Sequence, residues 1–211
     1  MRGKQILKCM ATVYATCTSY CDTGLVSTRF IEDKGTRTIE KPFTTAFVRP
    51  DRFRFEYQDG SHQAIVWREG ETVRVEWPWT GIAELPPQLI KPESLELALA
   101  GATGVSGGSA HTIPALLLPE EVGGRRLTDM TEVKQIEDTL SEEEGVECCQ
   151  IAGKYAGHPI VLWIEKATFC LRRMETQHPF EHFRTETTTS YIPLMNGDID
   201  DELLCYNRSH G

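Results

Sequence analysis

Strict alternation of apolar and polar positions dominates the chain, and it is clearest from Phe43 to Tyr57, which reads FTTAFVRPDRFRFEY. Phe43, Thr45, Phe47 and Arg49 share one face of an extended segment, and Thr44, Ala46 and Val48 take the other. Beyond Pro50, the residues Phe53, Phe55 and Tyr57 form one aromatic face while Arg52, Arg54 and Glu56 point the opposite way. Period-two alternation rich in aromatic and β-branched residues predicts strands. Proline has no place inside a central ladder, so the stretch reads as strand, short Pro-Asp corner, strand. Segments 62–69 and 72–79 follow, joined by a Glu-Gly turn at 69–70, with Val73, Val75 and Trp77 on one face. After residue 124 alternation returns over 125–137, 146–154, 159–166, 168–177 and 181–192, with a weak strand near 202–206. Short turns between consecutive strands predict an antiparallel meander, because parallel neighbours need long crossovers.

Two regions break the alternation. Residues 3–20 place Ile6, Met10, Val13 and Cys17 on one helical stripe, flanked by Leu7, Tyr14 and Cys21. Turn chemistry at Asp22-Thr23-Gly24 predicts that this helix ends near Ser19. The segment 82–120 predicts a helix after Pro92, with Glu93 in its first turn, Leu95, Leu99 and Ala102 along one side, and Gly104 as terminator. A short apolar helix, Ile113–Leu118, follows and is stopped by Pro119. Glycines at 101, 104, 107 and 108 make the segment a flexible insertion between two runs of strands. The predicted fold class is α+β, mainly antiparallel β: about ten or eleven strands in a sheet that curls to bury one face, with the N-terminal and mid-chain helices covering the concavity. At 211 residues, one domain spanning 1–211 is expected.

Charge narrows the partners. The net charge of −9, from 31 acidic and 22 basic residues, argues against nucleic acid or an anionic membrane surface, both of which reward clustered Lys and Arg. No apolar run approaches the ~20 residues that a spanning helix needs. The N-terminus lacks an uninterrupted apolar core and reads as a mature helix, with no signal peptide visible. Seven cysteines is an odd number, none forms a C-x-x-C pair, and they read as free thiols acting as small hydrophobes.

The search for catalytic chemistry returns little. There is no G-x-S-x-G, no HExxH and no G-x-G-x-x-G. The glycine-rich stretch 101–110 lacks the lysine of a phosphate loop and reads as a hinge. His178 and His182 are four apart, but Pro179 and the surrounding alternation place them on a strand or turn, and His158 joins them only through folding. The acidic run at 198–202 lacks calcium-loop spacing. Asn207-Arg208-Ser209 fits a glycosylation sequon. No cofactor, metal or catalytic residue is therefore assigned. Apolar bulk stands out instead: Phe43, Phe47, Phe53, Phe55, Tyr57, Trp67, Trp77, Trp79 and Trp163 exceed what one thin sheet needs. They form either a closed core packed against the helices or the wall of an apolar ligand cavity.

Arg49-Pro50-Asp51-Arg52-Phe53 resembles the R-P-x-x-F element of LolA-like proteins, the periplasmic carriers of outer-membrane lipoproteins. Ser19-Tyr20-x-Asp22-x-Gly24 after the first helix, the mid-chain helices, Leu162-Trp163-Ile164 and Thr187-Thr188-Thr189-x-Tyr191 fall in the matching order. The resemblance implies a strongly curved, open half-barrel whose hydrophobic concave face is covered by helices. It implies a helical lid at about 82–120, held by hydrogen bonds from Arg49. It also implies a non-enzymatic, periplasmic or otherwise extracytoplasmic protein that holds a lipid or lipoprotein acyl chain. The candidate ligand-binding residues are Phe43, Phe47, Arg49, Phe53, Phe55, Tyr57, Trp67, Trp77, Leu95 and Leu99. The glycine-rich middle and the seven cysteines depart from the carriers. Regulatory proteins that sense misplaced lipoproteins share the fold, so a regulatory or scaffolding domain that binds another protein is the alternative.

Overall fold

A computed structural model describes residues 3–60, 62–77, 90–104, 106–140 and 145–206. Helix α1, Gly3–Thr16, buries Ile6 and Met10 of the expected stripe together with its flanking Leu7 and Tyr14, while Val13 is half-buried and the buried Cys17 lies just past the helix end. The helix ends three residues before Ser19, and Asp22-Thr23-Gly24 lies inside strand β1, Ser19–Glu32, rather than in a turn. Both departures have local causes. The carboxylate of Asp22 accepts hydrogen bonds from the Tyr20 hydroxyl at 2.7 Å and the Thr45 backbone N–H at 2.9 Å. These tertiary donors occupy the oxygens that would otherwise cap a turn. Gly24 serves close approach: a Cβ there would stand 2.2 Å from Cζ of Phe43, so the glycine lets the ring lie on the strand.

Ten strands form one antiparallel sheet in the order β5-β4-β3-β2-β1-β10-β9-β8-β7-β6. After β1 come β2 (Gly35–Val48), β3 (Arg52–Asp59), β4 (His62–Glu69) and β5 (Thr72–Glu76). After the mid-chain helices come β6 (Thr131–Leu140), β7 (Glu147–Tyr155), β8 (His158–Glu165), β9 (Leu171–Pro179) and β10 (Phe183–Met195). Neighbours in sequence are neighbours in the sheet, and the pairing of β1 with β10 joins the two meanders over thirteen residue pairs, Tyr20–Met195 to Glu32–Phe183. The sheet does not close on itself, with β5 and β6 as its edges. This is the open antiparallel half-barrel, α+β arrangement that the resemblance implies.

Among the described mid-chain residues, α2 spans Leu95–Thr103 and α3 spans Ser109–Leu117. Helix α2 starts later than Pro92 suggests, because the Ser94 hydroxyl caps it by accepting from the Leu97 N–H. Helix α3 starts four residues before Ile113: the Ser106 hydroxyl accepts from the Ala110 N–H, and Gly108 holds a left-handed φ of 91° ahead of its first turn. Two predicted strand positions are tight turns instead. Leu127–Asp129 forms a 3-10 turn ahead of β6, and Asp201–Leu204 forms another where a weak strand was expected. In the second, Asp200 caps the turn by accepting from the Glu202 N–H at 3.0 Å. Among the described residues no helix is long and apolar enough to cross a membrane.

The main core lies between the helices and one face of the sheet. Alternation and register decide which side chains reach it. Tyr20, Asp22, Gly24 and Val26 of β1 stand opposite Phe47, Thr45, Phe43 and Lys41 of β2, and opposite Met195, Pro193, Tyr191 and Thr189 of β10. Helices α2 and α3 close over this face with small and medium apolar residues. Ala98, Leu99, Ala102, Ala110, Ile113 and Leu117 are all fully buried.

Candidate functional site

The site is built around the end of β2. There the Arg49 N–H donates to the Thr18 carbonyl at 2.9 Å, which fixes the side chain beside the last turn of α1. The guanidinium then donates from Nε to the Cys17 carbonyl at 2.7 Å, and from Nη2 to Ala15 at 2.6 Å and Leu117 at 2.8 Å, with Tyr14 at 3.3 Å. The last carbonyls of a helix have no partner within it, and they carry the negative end of the helix dipole. One cation therefore satisfies the C-terminal ends of α1 and α3 together, through charge-assisted bonds. Its carbon lies 5.2 Å from the Phe47 ring centroid, a cation–π contact that fixes the guanidinium plane. The Cys17 thiol beside it is buried, which raises its pKa more than Arg49 lowers it. A second tie sits at the other end of the covering segment. Arg68 of β4 pairs with Glu121, and Glu96 of α2 accepts from the Gly123 N–H at 3.1 Å.

From Arg49 an aromatic wall runs along the sheet. Phe47 pairs with Phe53, Thr45 with Phe55 and Phe43 with Tyr57 across β2 and β3, so alternate residues stack on one face. Ring centroids are 6.0 Å apart for Phe43–Phe55, 6.2 Å for Phe55–Tyr57 and 5.7 Å for Phe43–Tyr191. All five β2–β3 aromatics are buried and share one core with Trp77, Leu95 and Leu99. Eight of the ten candidates thus meet in one core, with Arg49 at its end. Trp67 stands apart. Register places it opposite Arg54, so it faces the outer side, where its indole N–H donates to the Leu204 carbonyl at 2.6 Å and its ring lies 5.7 Å from Tyr206. The segment HQAIVWRE is apolar on both faces, so its alternation carries no information about which side is covered. Trp79 and Asn207 lie outside the described residues.

The outer face has its own cover. The C-terminal 3-10 turn lies across β3 and β4, where Arg52 donates to Asp201 at 2.8 Å and Arg54 to the Cys205 carbonyl at 3.2 Å. Beneath it Arg54 and Glu56 form a buried ion pair at 2.5 Å. Beside this turn is a cavity of about 150 Å³ lined by Cys21, Thr23, Ala46, Arg54, Ile192 and Leu203, among others. Ile192 and the nearby Leu194 are more than half exposed, at 59% and 51%.

No local pattern announces the polar cluster inside the helix-covered core. Asp22 is 4% exposed, and burial pushes its carboxyl up to about 6 despite the bonds from Tyr20 and Thr45 that favour the charged form. Its charge is felt by the phenols of Tyr14, Tyr20 and Tyr191, each pushed up chiefly by burial. The hydroxyls of Thr45, Tyr57, Thr189 and Tyr191 are buried with no hydrogen-bond partner of normal geometry. Tyr191 faces Thr189 beside it on the sheet and Thr112 on α3. A buried carboxyl within an apolar alternation, SYCDTGL, is the one signal that could have marked the cluster, and it was equally good evidence for a turn.

The histidines rearrange the sequence pattern. His158 and His178 face each other across β8 and β9 with ring centroids 4.4 Å apart, and burial together with His158 lowers the pKa of His178. His182 is exposed and meets Glu181 at 3.8 Å. His111 places Nε2 2.9 Å from the Gly123 carbonyl. Among the described residues no group of three His, Cys, Asp or Glu side chains is placed to hold a metal ion. Cys9, Cys17, Cys21, Cys170 and Cys205 are free thiols.

No family profile matches the chain, and no curated protein does. Several solved structures are similar in fold. A chain of the Pseudomonas aeruginosa MucA/MucB complex is 9% identical, with a TM-score of 0.48, over 96% of this chain and 60% of that one. A LolA superfamily protein from Nitrosomonas europaea is 10% identical, with a TM-score of 0.35, over 97% and 98% of the two chains. LprF from Mycobacterium bovis is 12% identical, with a TM-score of 0.40, over 94% of each. The chain thus spans about three fifths of the length of the first of these.

Proposed function

We propose that this chain is a non-enzymatic binding protein that holds a lipid or lipoprotein acyl chain against the aromatic wall, beneath a lid formed by α2 and α3. The proposal treats 1–211 as one domain with its lid at about 82–120, places the protein outside the cytoplasm, and gives nucleic acid no role. The observation that carries it is Arg49. A single guanidinium bridges the C-terminal end of the lid helix α3, through Leu117, to the end of α1. Breaking its bond to Leu117 frees one end of the lid without removing a strand pairing. A latch of this kind gives two states that differ by a few hydrogen bonds, which a ligand favouring the open state can shift. In the closed state the side chains of α2 and α3 fill the space a ligand would take.

Fluorescence of the neutral apolar probe N-phenylnaphthylamine, with native mass spectrometry of gently purified protein, tests this reading. The expected result is probe uptake that a monoacylglycerol displaces and that Arg49→Leu changes. Absence of uptake in both proteins, with no co-purified lipid, would defeat it.

A second reading is favoured by the outer face. Ile192 and Leu194 are exposed beside a cavity lined by Cys21, Ala46 and Leu203, which suits a regulatory or scaffolding domain that docks another protein there. A stable partner lost on Ile192→Glu and indifferent to lipid would favour it.

A further inference from the structure

We infer that Asp22 acts as a charge filter within the helix-covered face, so that the protein accepts acyl ligands with neutral, hydrogen-bonding heads and rejects those with anionic heads. This rests on the lipid-binding reading above and names the class of ligand. Asp22 is the fourth residue of β1 and pairs with Thr45, two positions along the sheet from both Phe43 and Phe47. Its oxygens take one hydroxyl and one backbone N–H. The side chains that face it are Tyr20 from β1, Tyr14 from α1, Thr45 from β2 and Tyr191 from β10, with the thiol of Cys21 close enough to feel its charge. None of these is a cation. A buried carboxylate with a few donors and no counter-charge costs stability, and the chain tolerates it beneath the helices.

The surrounding hydroxyls point the same way. Tyr191 and Thr189 supply buried hydroxyl groups with no partner of normal geometry, and the Thr45 hydroxyl lies beside Asp22 itself; each can donate to a ligand oxygen or accept from a ligand hydroxyl. Thr112 of α3 lies over Tyr191, so lifting α3 bares this cluster. A glycerol-type head, offering both hydroxyl donors and ester acceptors, can satisfy the carboxylate and the hydroxyls together. A carboxylate or phosphate head brings a second negative charge beside Asp22 in a place of low dielectric. The ordinary charge state of Asp22 agrees, since a carboxyl titrating at about 6 is largely ionised at pH 7.5.

Displacement of N-phenylnaphthylamine by monoolein and by oleate, both below their micellar concentrations at pH 7.5, tests the inference. Wild type is expected to prefer monoolein by about tenfold or more, and Asp22→Asn to reduce that preference to about threefold or less by gaining affinity for oleate. Tyr191→Phe gives an independent check: it is expected to weaken monoolein several-fold and to leave oleate unchanged. Equal or tighter binding of oleate by wild type overturns the filter while leaving acyl-chain binding intact. Unaltered selectivity in a folded Asp22→Asn protein overturns the role of Asp22. Failure of any lipid or of the probe to bind removes the binding reading itself, and this inference with it.

Discussion

Arg49 and Asp22 place opposite charges against the same helix-covered core, and the protein treats them in opposite ways. Arg49 is matched: four backbone carbonyls from two helix ends surround it. Asp22 has two donors, no facing cation and a fringe of unpartnered hydroxyls. The outer face offers a third case, where Arg54 and Glu56 neutralise each other under the C-terminal turn. Buried charge in this protein is thus paired under the outer cover, used as a fastening at the edge of the lid, and left under-satisfied beneath the lid. The satisfied sites hold the architecture, and the under-satisfied one is where a ligand has most to offer.

Substitutions separate the three cases, and the largest effect is expected on the outer face. Glu56→Leu leaves the Arg54 guanidinium buried without its carboxylate and is expected to cost about 3–5 kcal/mol, read as a lower urea midpoint. The opposite sign is expected at Asp22. Its pKa is raised on folding, so the stability tied to its protonated form is present below about pH 4 and lost as pH rises through about 6. Asp22→Asn should abolish that slope and stabilise the protein at pH 8 by up to about 3 kcal/mol, measured by urea unfolding at pH 4.5 and 8. An unchanged slope would show that other groups set the pH dependence.

Smaller effects sharpen the contrast between latch and core. Arg49→Leu is expected to cost about 2 kcal/mol, since helix-end carbonyls regain water once the lid loosens. Hydrogen exchange should quicken in α3 and the end of α1 while the β1–β10 pairing stays protected. Uniform exchange across the chain would make Arg49 a general support rather than a latch. Trp67→Phe removes one indole bond to Leu204 and is expected to cost about 1 kcal/mol, freeing the C-terminal turn without altering probe uptake. A change in uptake would link the outer cover to the lid.

Much of this was legible along the chain. The FTTAFVRPDRFRFEY alternation located β2, the corner and β3, and the aromatic face it defined is buried as one unit. The first helix was readable because Ile6, Met10, Val13 and Cys17 repeat at helical spacing, although the buried face turns toward the flanking Leu7 and Tyr14 and leaves Val13 half-buried. Asp22 was not legible, because a turn and a buried tertiary hydrogen bond use the same residue types, and only the approach of Thr45 and Tyr20 decides between them. Trp67 was not legible because its strand is apolar on both sides. The His158–His178 pair depends on the register of β8 against β9, which no local pattern contains.

Local pattern settled the antiparallel meander and most of its strands and helices, because period-two alternation and short turns leave no room for parallel crossovers, but it misplaced strands at Leu127–Asp129 and Asp201–Leu204. It also determined which aromatics share a face on β2 and β3. Tertiary structure alone decided that the chain's two meanders join at β1 and β10, that Arg49 fastens two helix ends, and that Asp22 is buried without a counter-charge. Those outcomes depend on contacts as far apart along the chain as Asp22 with Thr45 and Tyr20 with Met195, where the energy comes from which groups meet, and local propensity is silent about meeting.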